Sequence, residues 1–142
     1  LLMVTPLQIV AAARMELDTP FKHQGRLSKV GLDCIGKIVL TARACAIPIE
    51  DRMIYSRVPQ PEQLIAELDR QLDRTVEMVV GNVVAFWFID PTMPQHVGIL
   101  TPHRTGLGLI HTYSGAGKVI EHVLDENWRR RIYGVWRFRG VA

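Results

Sequence analysis

The sequence predicts an α+β fold in which helices come first and an antiparallel sheet of short strands follows. In the first half, apolar residues recur at spacings of three and four, which is the pattern of helices with one buried face. After Thr75 the pattern changes to β-branched and aromatic runs separated by turn segments such as Ser-Gly-Ala-Gly at 114–117. Helices followed by a meander of strands are typical of α+β architecture.

The composition is that of an ordinary globular chain and predicts one domain over residues 1–142. Hydrophobic residues make up 48% and charged residues 22% of the chain, which argues against extensive disorder. The longest apolar run, around 79–89, is broken by Gly81 and Asn82. It is shorter than the roughly 20 residues that a membrane helix needs. The start, LLMVTP, lacks the features of a signal peptide, so we expect neither a membrane span nor a leader.

Three helices are predicted in the first half, and each begins at a recognisable signal. Thr5-Pro6 opens the first, Asp33 can cap the second, and Pro61 opens the third. The segments 19–32 and 47–60 lack periodicity and are predicted to be irregular. The predicted helices cover about 6–17, 34–46 and 61–74.

Five strands are predicted in the second half, where proline and glycine segments bound each apolar run. They cover 83–89, 96–100, 107–113, 118–124 and 133–138.

The formal net charge of +3 is concentrated in arginines near the end of the chain, at positions 129–131, 137 and 139. Such a patch suits nucleic acid, an anionic polymer or an acidic partner, and it also suits a solvated face. Nucleic-acid binding would need exposed aromatics among the arginines. Trp136 and Phe138 share one face of a predicted strand and are more simply core residues, so we expect no specific nucleic-acid partner.

Cys34 is the candidate nucleophile of the two cysteines. It stands at the start of a helix, where the helix dipole and unpaired N–H groups favour a thiolate. The alternative is a small buried hydrophobic residue. Cys45 lies eleven positions later, about 16 Å along the same helix, so the two cannot form a disulfide, and we expect Cys45 in the core. The cysteines form no zinc motif, and we expect neither metal nor cofactor.

Two of the five histidines extend this hypothesis. His96 opens the apolar strand HVGIL, and His111 interrupts the apolar strand GLIHTY. A single histidine on an apolar strand is more often a hydrogen-bonded core residue. Two on neighbouring strands, after a cysteine at a helix start, match the nucleophile, base and orienting group of acyl transfer. By contrast, His103 and His122 are expected to face solvent.

Five segments carry a resemblance to a known family: TPFKHQG (19–25), GLDCIGKIV (31–39), QHVGIL (95–100), LIHTY (109–113) and IYGVWRF (132–138). In this order they resemble the NlpC-type cysteine peptidases, above all the variants encoded in phage and prophage tail gene clusters. The resemblance extends from about Leu7 to Phe138. It implies a papain-like fold, with N-terminal helices packed on an antiparallel sheet.

The resemblance also implies a role for each candidate residue. Cys34 matches the nucleophile, His96 the general base and His111 the residue that orients His96. The backbone N–H of Cys34 would help to hold the oxyanion, a contact typically worth about 3–4 kcal/mol. Phe21 stands where family members commonly have tyrosine, and Lys37 stands where an apolar residue is usual, so we expect its side chain to reach outward. Further candidates for oxyanion or substrate contacts are His23, Gln24 and Asp33.

The function implied is hydrolysis of amide bonds in peptidoglycan stem peptides. In a phage tail, or a phage-like particle made in the bacterial cytoplasm, this would open the cell wall during DNA delivery, with tail-tip proteins as partners. Two alternatives remain open. One is a catalytically weak structural or assembly module of the same fold, which Phe21 favours. The other is a different reaction at the same residues, such as acyl transfer or amidase action.

Overall fold

The computed structural model describes residues 3–52, 55 and 60–142. Three helices precede the main sheet, as predicted, whereas a fourth short helix at Glu126–Arg129 and three short strands were not predicted. The helices of the described residues are α1 (Pro6–Arg14), α2 (Cys34–Ala44), α3 (Pro61–Gln71) and α4 (Glu126–Arg129). Their strands are β1 (Arg26–Leu27), β2 (Gly31–Leu32), β3 (Asp73–Thr75), β4 (Val83–Trp87), β5 (Pro94–His103), β6 (Gly106–Tyr113), β7 (Lys118–Val123) and β8 (Ile132–Arg137).

Six strands form one antiparallel sheet in the order β3-β8-β4-β5-β6-β7. One face packs on the helices: Ile38 and Ala42 of α2 belong to the same buried cluster as Val97 and Ile99 of β5. The other face carries a second buried cluster that includes Phe86 and Leu109, with Trp128 of α4 packed against it. The predicted α+β class with an antiparallel sheet is confirmed.

Local signals placed the helix starts correctly. Thr5 and Gln8 form a reciprocal capping box at the start of α1. At the start of α2, Asp33 accepts a hydrogen bond from the backbone N–H of Gly36 at 2.7 Å. Trp136 and Phe138 are buried, as predicted from their shared strand face.

Tertiary pairing changed several predicted boundaries. Residues 73 and 74 were expected to end the third helix, but residues 73–75 form β3 and pair with β8, because an edge position on the sheet satisfies their backbone groups. The first helix ends at Arg14 rather than near residue 17. The segment 19–32, expected to be a loop, contains the short β1-β2 pair. The segment 47–60 was predicted to be irregular, and within it residues 53, 54 and 56–59 lie outside the described part of the chain. None of the described helices has the length and apolar character to cross a membrane.

The outward orientation expected for Lys37 is wrong. The side chain is fully buried, and Nζ donates to the carbonyl of Ala13 on α1 at 2.5 Å and to the hydroxyl of Thr41 at 3.3 Å. Burial lowers the pKa of Lys37 to about 7, while the charge of Glu16 acts in the opposite direction. The amine therefore joins α1 to α2 at the cost of desolvating a titratable group.

Lys37→Met is expected to make the protein more stable at pH 6 and to have a much smaller effect at pH 10. The folded pKa of Lys37, about 7, lies below its ordinary value of 10.5, so between these values the unfolded state binds the proton and the folded state does not. This group therefore makes stability rise with pH over that window, and its full cost applies below pH 7. The gain at pH 6 should be on the order of 3 kcal/mol. Urea unfolding of both proteins at the two pH values measures it, and an equal gain at both would contradict the buried amine.

Candidate active site

A cavity of about 470 Å³ lies between the starts of α2 and β5, with α3 on its far side. Cys34 and His96 both line it, and Phe21, His23 and Tyr55 add three rings to its wall. Its volume is in the range of small-ligand sites. The cysteine and the histidine selected from the sequence therefore face one space.

Close packing at the start of α2 fixes the position of Cys34. A Cβ atom added to Gly36 would lie 2.2 Å from the carbonyl oxygen of Gly25, so the loop before β1 can approach the helix only because residue 36 is glycine. Cys34 itself is half-buried and packs against the core that lies under the sheet. Any side chain at position 36 would displace the first turn that carries the thiol.

The surroundings of Cys34 disfavour its thiolate in the resting site. Burial raises the pKa of the thiol to about 12, and the negative charge of Asp33 adds to this effect. Backbone N–H groups of Val97, Ile35 and Cys34 lower the pKa, but by less. The prediction that the helix start favours the thiolate is therefore wrong for this state, because desolvation outweighs the helix terminus. The resting nucleophile is a neutral thiol that needs a base.

His96 is suited to be that base. It lies on β5 with 5% of its surface exposed, and burial lowers its pKa to about 3, so its imidazole is neutral at ordinary pH. Its Nε2 is 2.7 Å from Nδ1 of His111, so the predicted contact between the two rings is present. This leaves Nδ1 of His96 to act on Cys34. Among the described residues no hydrogen bond links the thiol to His96, and resting catalytic pairs often tighten only with substrate.

The histidine pair continues to a third ring that was not predicted from the sequence. Nε2 of His111 is 2.8 Å from Nε2 of His122, and Nδ1 of His122 is 2.8 Å from the carbonyl oxygen of Val123. The expectation that His122 faces solvent is therefore wrong, because its ring is half-buried against His111. The signal that could have found it is the register of β6 and β7, which pairs His111 with Ile120 and so puts His122 on the same face as His111.

Aromatic rings surround this histidine chain. Trp128 contacts His96, His111 and His122, with ring centroids 6.0, 4.8 and 5.8 Å apart. Tyr113 stacks on His111 at 5.5 Å. His111 is fully buried, and burial lowers its pKa to about 2. His96 and His111 are thus neutral rings in a shielded series of hydrogen bonds.

Asp33, a candidate substrate contact, is instead fully engaged within the protein. Its Oδ1 accepts from the backbone N–H of Gly36 and from Arg26 at 3.0 Å, and its Oδ2 accepts from the backbone N–H of Gln24 at 2.9 Å and from the Tyr55 hydroxyl at 2.6 Å. These four bonds use the acceptor capacity of a carboxylate. Asp33 therefore holds the helix start and the loop before it together.

Arg26 and Tyr55 complete this network, and sequence reasoning missed both. The Arg26 guanidinium bonds both carboxylate oxygens of Asp51, at 3.0 and 2.9 Å, and donates to the Tyr55 hydroxyl at 2.5 Å. A tyrosine thus reaches the cavity from the segment after α2, but its hydroxyl donates to Asp33. No local pattern marks residue 55, so we see no sequence signal that could have found it.

The remaining candidates differ in their positions. Phe21 and His23 line the cavity, and the His23 ring packs edge-on against Tyr55 with centroids 5.7 Å apart. The Gln24 side chain instead donates to the backbone carbonyl of Tyr55 at 2.7 Å. In the described ranges no group of three or more His, Cys, Asp or Glu side chains could hold a metal ion.

Comparison with solved structures identifies the architecture. An NlpC/P60 family protein from Bacillus cereus ATCC 10987 superposes with a TM-score of 0.72 at 16% identity, covering 96% of this chain and 41% of that one. The fold is that of the NlpC/P60 proteins. The NlpC/p60 domain of the peptidoglycan hydrolase SagA matches with a TM-score of 0.60 at 19% identity, over 94% of this chain and 98% of that one.

A third match, at the lower end, is an N-acetylmuramoyl-L-alanine amidase from Bacteroides uniformis ATCC 8492. Its TM-score is 0.52 at 11% identity, over 92% of this chain and 96% of that one. The chain spans about two fifths of the length of the first structures that it matches. No protein-family model and no curated protein matches the sequence. At these identities the likeness establishes the papain-like fold, and the roles of the site residues stay predictions.

Proposed function

We propose that the protein is a cysteine hydrolase that cleaves amide bonds in peptidoglycan stem peptides. The observation that carries the proposal is the placement of Cys34 at a helix start in the same cavity as His96, whose ring is held by His111. The SagA domain and the Bacteroides amidase, which share the fold, support the substrate class by their own descriptions.

Because both the Cys34 thiol and the His96 imidazole are neutral at rest, the proton is transferred during the attack and not before it. As the sulfur of Cys34 attacks the carbonyl carbon, its proton moves to Nδ1 of His96. Backbone N–H donation at the start of α2 stabilises the oxyanion. His96 then gives the proton to the leaving amine, the C–N bond breaks, and a thioester forms on Cys34. A water molecule, deprotonated by His96, hydrolyses the thioester and restores the thiol.

Incubation with purified peptidoglycan, followed by mass spectrometry of the released fragments, tests this function. The protein is expected to release fragments with new stem-peptide termini. Cys34→Ala should release none, whereas Cys45→Ala should retain the activity, because Cys45 lies at the other end of α2 and lines no part of the cavity. Release that persists in Cys34→Ala would overturn the assignment. Absence of release by the unmodified protein would instead favour a structural module of the same fold.

We further propose that the hydrolase acts in a phage or prophage tail, bound to tail-tip proteins, during DNA delivery. The support is the resemblance of the segments around Cys34 and His96 to tail-encoded variants of the family. Immunodetection of the protein in purified tail particles tests this setting, and its absence from such particles would contradict it.

Phe21→Tyr is expected to raise the hydrolysis rate by roughly ten- to a hundredfold, since a phenol can donate to the transition state. Phe21 lines the cavity and is 37% exposed, so the added hydroxyl needs no burial and the melting temperature should change little. The rate of fragment release measures the effect. An unchanged rate in an otherwise active protein would show that position 21 does not contact the reacting group.

A further inference from the structure

The series of hydrogen bonds from His96 through His111 and His122 ends at the backbone carbonyl of Val123. The carbonyl of Val123 accepts hydrogen bonds and cannot donate them. Nδ1 of His122, 2.8 Å from that oxygen, must therefore carry the proton. When His122 is neutral, its Nε2 has no proton and accepts from the next ring.

The tautomer of His122 determines the tautomers of His111 and His96. Nε2 of His111 must donate to Nε2 of His122, at 2.8 Å. Neutral His111 then has an unprotonated Nδ1, which accepts from Nε2 of His96 at 2.7 Å. Neutral His96, with its one proton on Nε2, keeps Nδ1 unprotonated. A backbone carbonyl on β7 thus determines which nitrogen of His96 is basic.

We propose that His122 is a positioning residue: anchored by the Val123 carbonyl, it fixes the tautomers of His111 and His96 so that Nδ1 of His96 is free to take the proton of Cys34. The inference rests on the proposed function for its catalytic meaning, while the tautomers themselves follow from geometry. Burial favours the neutral forms of His96 and His111 by lowering the pKa of each. Trp128 packs against all three rings and limits the access of water that could compete for their bonds.

His122 is half-buried and is the most exposed of the three rings. His111 of β6 contacts it directly. The groove that it lines at the sheet edge is flanked by Arg14, Asp18, His103, Arg104, Lys118 and Glu121. Two pairs of these charges, Arg14 with Glu121 and Lys118 with Asp18, neutralise one another.

Long-range ¹H–¹⁵N correlation spectra of the imidazole rings test the tautomers without any substrate. The expected result at neutral pH is a proton on Nε2 of His96 and of His111 and on Nδ1 of His122. His122→Gln should preserve the Nε2–H forms of His96 and His111, because its side-chain oxygen can accept from His111 and does not titrate. His122→Phe should abolish the single-tautomer state. A proton on Nδ1 of His96 in the unmodified protein would overturn the proposal.

Activity provides the second readout. His122→Phe should lower kcat for peptidoglycan hydrolysis by roughly 10- to 1,000-fold with little change in KM, since a wrong tautomer removes the base. His122→Gln should recover most of that loss, because its side-chain oxygen can accept from Nε2 of His111. His103→Gln, which alters a histidine whose ring bonds Thr105 and not the three hydrogen-bonded histidines, should match the unmodified protein. A kcat of His122→Gln as low as that of His122→Phe would contradict the proposal. If the tautomers are as expected but the unmodified protein hydrolyses nothing, the proposed function fails while the tautomer assignment stands.

Discussion

His96→Ala is expected to reduce the release of peptidoglycan fragments by a factor of about 10² to 10⁴. The pKa of the Cys34 thiol is raised to about 12, so almost no thiolate exists at neutral pH unless a base removes the proton during attack. His96 is the buried, neutral imidazole that lines the cavity. The other two hydrogen-bonded histidines, His111 and His122, do not line it.

His23→Ala provides the matched control, because His23 also lines the cavity but packs edge-on against Tyr55 rather than against the three hydrogen-bonded histidines. His23→Ala should lower the rate of fragment release by less than His96→Ala does. Fragment release is measured for both variants beside thermal unfolding, to show that each is folded. If His23→Ala causes the larger loss, His23 is the base and the assignment of His96 is wrong.

Arg26→Met is expected to destabilise the protein by about 3–5 kcal/mol and to abolish activity. Arg26 is paired with Asp33 and Asp51, and the three side chains are only 7–11% exposed. Removing Arg26 takes the ion-pair partner from Asp33 and leaves the buried Asp51 with the longer contact to exposed Arg43, at 3.9 Å, and a buried charge without a close partner is costly. The Tyr55 hydroxyl and the start of α2 would lose their common partner, so the position of Cys34 would change as well.

Arg70→Met is the matched control for that loss. Arg70 also makes two ion pairs, with Glu50 and Glu67 at 2.7 and 2.8 Å, but its side chain is 38% exposed. Exposed pairs contribute little because water solvates the separated charges, so the melting temperature of Arg70→Met should stay close to that of the unmodified protein. Equal destabilisation by the two variants in urea unfolding would show that burial does not make the Arg26 ion pairs more stabilising than the exposed pairs of Arg70.

Features that depend on local sequence were predictable. The cap at Asp33, the helix after it and the strands that carry His96 and His111 follow from capping and periodicity, which act within a few residues. Alternation along β5 and β6 then places both histidines at the sheet face where their rings meet.

Features that depend on which elements pack together were not predictable. Lys37 is buried because α1 offers it the Ala13 carbonyl, and nothing in the pattern of α2 indicates that partner. The pKa of Cys34 was misjudged for a related reason: the helix terminus is visible in the sequence, whereas the burial that outweighs it is a property of the assembled fold. Tyr55 and Arg26 meet through a loop without periodicity.

Covalent capture by a substrate-like electrophile shows directly whether Cys34 is the nucleophile and His96 its base. A peptide with a stem-peptide sequence and a chloromethyl ketone at the carbonyl to be attacked would lose chloride as the sulfur bonds to it. We expect one adduct per molecule, mapped by peptide mass spectrometry to Cys34. It should form with saturable kinetics, more slowly in His96→Ala and not at all in Cys34→Ala. Equal labelling of Cys45, or an unchanged rate in His96→Ala, would contradict the assignment of Cys34 and His96 as nucleophile and base.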